Sequence, residues 1–154
     1  MKYLIFLLLF SCSTTPKKEY PNVDSALVSY IKEFNQYHLR YKHKSIPKDI
    51  KVLYKDISDH PNAGGMHDRI SKVTTINKSI FQNNTKLKKE SVVFHELGHH
   101  ILHLTHDWSS DNMLSKTCPR SIMYFKGVPD KCYKRLKWYY IREMFNREPA
   151  HWWR

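Results

Sequence analysis

The sequence predicts a small α+β domain: helices, a short mixed β-sheet and a helix at the C-terminal end. Three observations carry that prediction. Apolar residues recur at helical spacing in three separate stretches, around residues 27–41, 88–99 and 132–145. Two short stretches between the first and second of these alternate or are rich in β-branched residues, as strands are. The length, 154 residues, sets the size of one domain with one modest core, and no internal repeat is present.

The chain opens with Met1-Lys2, an apolar run from Tyr3 to Phe10, and Ser11-Cys12. That run is too short to span a bilayer, which takes about 20 helical residues. A charged start, a short apolar run and a small residue read instead as a secretory signal over residues 1–11. LLFSC resembles the lipobox of bacterial lipoproteins, in which the chain is cut before the cysteine and lipid is attached there. The resemblance implies lipidation at Cys12 and a protein exported to the bacterial cell envelope, in periplasm or outer membrane. A plain signal peptide or short anchor would export the domain as well. Residues 12–22, polar and with two prolines, read as a tether, leaving residues 23–154 for the domain.

Within the domain, Leu27, Tyr30, Ile31, Phe34, Tyr37 and Tyr41 fall on one helical face, with Asp24 as N-cap and Pro47 as breaker. Ile50, Val52 and Tyr54 alternate as a short strand. Pro61 to Gly65 reads as a turn or loop, and RISKVTTIN, residues 69–77, as a second strand. Asn83-Asn84-Thr85 offers a cap for a helix through Val92 and Val93 into HELGHHILHLTHD, residues 95–107. Residues 105–129 have no steady period, and Asp130 stands as the cap of a last helix carrying Cys132, Leu136, Tyr140 and Phe145.

The net charge is +12, from 26 basic and 14 acidic residues. The cations are scattered and no nucleic-acid motif accompanies them, so the charge reads as a solvated surface with a bias toward anionic membranes. We expect no nucleic-acid partner, and a monomer. With Cys12 taken by lipid, Cys118 and Cys132 remain as a pair. In an oxidising compartment they are expected to form a disulfide.

Residues 95–106 hold five histidines. His95-Glu96-Leu97-Gly98-His99 is an H-E-x-x-H pattern. Residues four apart on a helix sit about 6 Å apart along the axis, so two imidazoles can share one zinc. Glu96 then stands beside the metal, placed to take a proton from water rather than to ligate. His103 would lie about 12 Å from His95 along the helix, too far to bind the same ion, and His100 points about 100° away from His99. His106 can supply the third nitrogen if the helix ends near Leu102 or His103 and the chain turns back. Asp107, beside it, and Glu143, on the last helix, are the alternative third ligands.

HELGH, a later histidine and Ser121-Ile122-Met123-Tyr124 resemble the zincin metallopeptidases, and among them the metzincins. There a methionine turn runs under the metal as an apolar floor, a role the resemblance gives to Met123. Metzincins have Gly three residues after the second histidine and the third histidine six after it. Here Leu102 and Thr105 hold those positions and His106 stands at the seventh. The turn must therefore use one more residue and no glycine, with His103 taking a strained conformation in its place. The chain is also similar to small bacterial lipoproteins of metallopeptidase type, which share HELGH, a later His-Asp and a Cys-Pro-x-Ser-[Ile/Leu]-Met segment like Cys118 to Met123. The likeness covers roughly residues 66–145.

What it implies is one Zn²⁺ on His95, His99 and His106, with Glu96 as general base for hydrolysis of a peptide or protein substrate. Tyr124 could stabilise the oxyanion, or be an ordinary tyrosine. RISKVTTIN, or the GGM stretch before it, is the candidate edge for an extended substrate, unless that strand is interior sheet. The competing expectation is a non-catalytic zinc-binding envelope lipoprotein with a metal site closed by a fourth ligand, acting as a binding or assembly module. A further reading makes Trp138, Trp152 and Trp153 anchors at a membrane surface. We expect the last two to pack on the domain instead.

Overall fold

The computed structural model describes residues 19–109 and 113–147. Cys12, the expected signal segment and Trp152-Trp153 lie outside them. The fold is α+β, with four helices, one 3-10 turn and a three-stranded mixed sheet among the described residues. None of those helices is long and apolar enough to cross a membrane.

A 3-10 turn, Ser25–Leu27, leads into helix α1, Val28–Lys42. The Asp24 carboxylate accepts from the Ala26 amide and so caps the turn rather than the helix. Pro47 does not end α1. The helix stops at Lys42 because His43 adopts a left-handed conformation (φ 54°) and its amide bonds back to the Leu39 carbonyl. Packing also starts earlier than the expected domain boundary: Tyr20 is buried, and the Asn22 carbonyl accepts from the Val52 amide.

Strands β1 (Lys51–Lys55), β2 (Gly65–Asp68) and β3 (Val73–Asn77) stand in the order β1-β3-β2. β3 is central, parallel to β1 and antiparallel to β2. RISKVTTIN is therefore not an edge. Its first residues form a turn instead: the Asp68 carboxylate accepts from the Ile70 amide and the Ser71 hydroxyl, and Lys72 is left-handed at φ 54°. The edge beside the histidine helix is β2, within the stretch GGMHD.

A short helix α2, Lys78–Gln82, precedes α3, Lys86–Leu102. Thr85 caps α3 by accepting from the Lys88 amide. Helix α4, Asp130–Asn146, begins after Pro129. Asp130 does not cap it; its carboxylate accepts instead from the Thr85 hydroxyl, linking the starts of α3 and α4. Phe34 of α1, Phe94 of α3 and Phe145 of α4 meet with ring centroids 5.2–5.3 Å apart from Phe34. Buried Glu90 of α3 accepts from Tyr133 Oη and pairs with Lys137 Nζ, which also reaches Glu33 of α1. A buried carboxylate is costly alone, and two partners compensate this one. A disulfide joins Cys118 to Cys132 and ties the irregular segment to α4.

Candidate metal centre

Helix α3 is buried on most sides, and its last two turns carry the site. His95, Glu96 and Gly98 are buried, while His99 is half-buried. His103 ends the helix with φ 55° and ψ 35°, a left-handed C-cap without glycine, and the Leu104 amide bonds to the Gly98 carbonyl. That turn does two things for the site. It exposes the Leu104 carbonyl to His99 Nδ1 (2.7 Å), and it sends the chain back so that His106 faces the helix.

His106 is then fixed from its other side. The Asp107 amide donates to the Met123 carbonyl (2.8 Å), and the Phe125 amide donates to the Asp107 carbonyl (3.3 Å). Asp107 thus serves through its backbone, and its carboxylate accepts from the Ser109 amide. His95 Nδ1 donates to the Ile122 carbonyl at 2.8 Å. A carbonyl only accepts, so Nδ1 carries the proton in both His95 and His99 and each Nε2 presents a lone pair.

The three Nε2 atoms of His95, His99 and His106 lie 3.1–3.3 Å from one another. Nitrogen ligands about 2.0–2.1 Å from a tetrahedral ion stand about 3.3 Å apart, so the residues present fit one such ion. Converging lone pairs with no proton between His95 and His99 also favour a cation at the centre. Among the described residues no fourth side chain joins this group.

Burial, reinforced by the neighbouring imidazole of His99, holds His95 down to about 3. Burial likewise holds His99 to about 4 and lowers His106, so all three are neutral and ready to ligate near pH 7. Burial pushes the Glu96 carboxyl up to about 8, and a divalent cation in the cluster would draw it back down.

Met123 lies fully buried beneath the helix, and Gly98 explains how. A Cβ at position 98 would stand 2.7 Å from Met123 Sδ, so only glycine lets the thioether approach. The turn before Met123 is held by Ser121, whose Oγ accepts from the Met123 amide and from Arg147 Nη1 and donates to Glu143 Oε2. Glu143 is therefore committed to the methionine turn and is not among the clustered ligands. On the far side Gly65 of β2 lets Glu96 pass: a Cβ there would be 2.6 Å from Glu96 Cγ and 2.9 Å from the Thr75 carbonyl.

A cavity of about 300 Å³ opens beside the cluster, with His95, Glu96 and His106 at one end. Tyr124 does not line it. That residue is half-buried, with its ring against Phe125 at 4.9 Å. No family model, curated protein or solved structure matches the chain.

The other histidines of the stretch are used for packing and turning. His100 stacks on His67 with centroids 4.5 Å apart, and both Nδ1 atoms meet Thr74 Oγ1. Sequence reasoning missed Lys88, Phe125 and Trp108, and placed Gly65 in a turn or candidate edge without its contact to Glu96. Trp108 is 68% exposed, sets its face on Phe125 and meets the His106 ring edge-on at 5.0 Å. An aromatic directly after His106-Asp107 was the available signal. Trp138, the remaining tryptophan among the described residues, leans edge-on against Tyr37 and is 63% exposed.

Proposed function

We propose that the protein is a zinc-dependent metallopeptidase of zincin type, hydrolysing peptide bonds in a peptide or protein substrate. One observation carries the reading. Three neutral imidazoles converge with tetrahedral spacing, no fourth side-chain ligand joins them among the described residues, and Glu96 borders the same cavity. A structural zinc site is usually closed by a fourth protein ligand and has no use for an adjacent buried carboxylate. That difference favours catalysis over a purely structural metal.

His95, His99 and His106 would hold the zinc, which would supply a Lewis acid for the substrate carbonyl and make water more acidic. Glu96 accepts the proton of the attacking water and returns it to the departing amine. Its burial, with Gly65 pressed against it, keeps the carboxylate in one place for both transfers. The Ile122 and Leu104 carbonyls orient His95 and His99. The outer edge of β2 offers backbone groups to an extended peptide, as in strand addition.

The lipobox resemblance at Cys12 supports export and a lipid anchor in the cell envelope. The Cys118–Cys132 disulfide fits an oxidising compartment of that kind. The experiment is metal analysis together with digestion of a mixed peptide library, wild type beside Glu96→Gln. Stoichiometric zinc in both proteins, with cleavage by wild type alone, is expected. Undiminished cleavage by Glu96→Gln would sink the proposal.

A further inference from the structure

The cavity beside the cluster carries a charge that the hydrolytic chemistry does not use. Its walls are largely apolar, with Ile80, Val92, Ile122 and Val128 among them, yet the half-buried Lys88 lies in that lining too. Lys88 Nζ donates to the Val128 carbonyl at 2.9 Å. An ammonium has three protons, so this bond leaves two directions unfilled. The carboxylate that acts on Lys88 is Asp130, and it does so from beyond ion-pair distance. Its Oδ2 accepts from the Thr85 hydroxyl, while Oδ1 is buried without a hydrogen-bond partner among the described residues. Lys126 adds a second cation at the rim, and Glu96 is the one carboxylate in the lining, at the reacting end.

A half-buried ammonium with one neutral partner in an apolar cavity is under-compensated. A carboxylate entering the cavity would complete it. Lys88 and His95 are seven residues apart on α3, on one face and about 10 Å along the axis. A substrate residue next to the cut bond sits near the His95 end, so its side chain and that of Lys88 must cover the length between them. Glutamate spans it better than aspartate.

We propose that this cavity receives a glutamate side chain of the substrate, adjacent to the bond that is cut, with Lys88 holding its carboxylate. The proposal rests on the peptidase reading above. Glutamate is favoured over glutamine because only the charged group offsets the ammonium.

The test uses the full chain loaded with zinc and paired peptides that differ only in Glu or Gln at each position flanking the cut. Wild type is expected to show kcat/KM higher for Glu by about tenfold or more, as one charge-assisted hydrogen bond allows. Lys88→Met should bring that ratio close to one, and Lys88→Glu should turn the preference toward lysine at the same position. Equal rates for Glu and Gln peptides in wild type would overturn the proposal. So would a Glu preference that persists in Lys88→Met, or one that follows a free C-terminal carboxylate over its amide rather than the side chain.

Calorimetric binding of the same peptides to zinc-loaded Glu96→Gln, with and without Lys88→Met, separates the pocket from the reaction. Tighter Glu binding that depends on Lys88 supports the pocket, and equal binding overturns it. Absence of hydrolysis by wild type would remove the peptidase reading, and this binding comparison would still decide the pocket.

Discussion

Gly98→Ala sets two effects against each other inside the site. By helix propensity alone, alanine in a helix interior is favoured over glycine by about 1 kcal/mol. Packing opposes it. The new Cβ would stand 2.7 Å from Met123 Sδ, 3.3 Å from Met123 Cε and 3.7 Å from Met144 Sδ. Met123 is fully buried, so its thioether has no solvent to swing into. Overpacking of a filled core costs about 1–3 kcal/mol, and a 2.7 Å approach belongs in the upper half of that range. The net expectation is a loss of about 1–2 kcal/mol, or roughly 2–8 °C in Tm for a domain of this size. Zinc affinity should fall too, because moving Met123 drags the neighbouring Ile122 carbonyl that orients His95. Thermal melts in a double-mutant cycle with Met123→Val are the assay. Valine has no atom at the Sδ position, so in that background Gly98→Ala should become neutral or stabilising by up to about 1 kcal/mol. A higher Tm for Gly98→Ala in the otherwise wild-type protein would refute the packing argument.

Further outcomes are expected. His106→Ala should weaken zinc binding by orders of magnitude in a chelator competition, while His103→Gly should keep the metal and raise Tm. The left-handed conformation at φ 55° costs a non-glycine residue about 1 kcal/mol that glycine does not incur. In the metal-free protein Glu96 has a folded pKa raised from 4.5 to about 8, so its ionisation penalises the fold increasingly as pH rises through that window. Metal-free Glu96→Gln should therefore melt higher than metal-free wild type at pH 8, with the gap shrinking by pH 4.5. His95 and His99 act in the opposite sense. Their folded values, about 3 and about 4, lie below the ordinary 6.5, so stability is lost as pH falls from 6.5 toward 4. Reducing the disulfide, whose cysteines are 14 residues apart, should lower stability by about 3 kcal/mol in a denaturant titration.

Helical periodicity made α1 legible, because it buries one apolar stripe against α3 and α4; α3, buried on most sides, was legible through its apolar residues and the Thr85 cap. Helix geometry also separates the histidines: rise per residue excludes His103 as partner of His95, and the seven-residue gap to His106 demands a turn at His103. The structure contains that turn, without glycine. Strand β2 was half legible: the GGM stretch stood as one of two candidate edges, but the strand is four residues long and opens on Gly65, so its start also read as a turn. Its glycine serves the approach of Glu96 rather than a bend. The central place of β3 depends on pairing from both sides, which no local pattern encodes. Pro47 and Asp130 misled for one reason: each is a good local signal, but a neighbour, His43 or Thr85, supplied the deciding contact. Lys88 looked like any surface lysine in so basic a chain, and only the cavity wall distinguishes it.

X-ray absorption at the zinc edge of the reconstituted protein, read beside the same spectrum of His106→Ala, examines the centre itself. One zinc per chain is expected, with three imidazole shells at about 2.0–2.1 Å and one exchangeable light-atom ligand. His106→Ala should lose one imidazole shell. A spectrum with four imidazoles, with sulfur, or unchanged by His106→Ala would contradict an open three-histidine site.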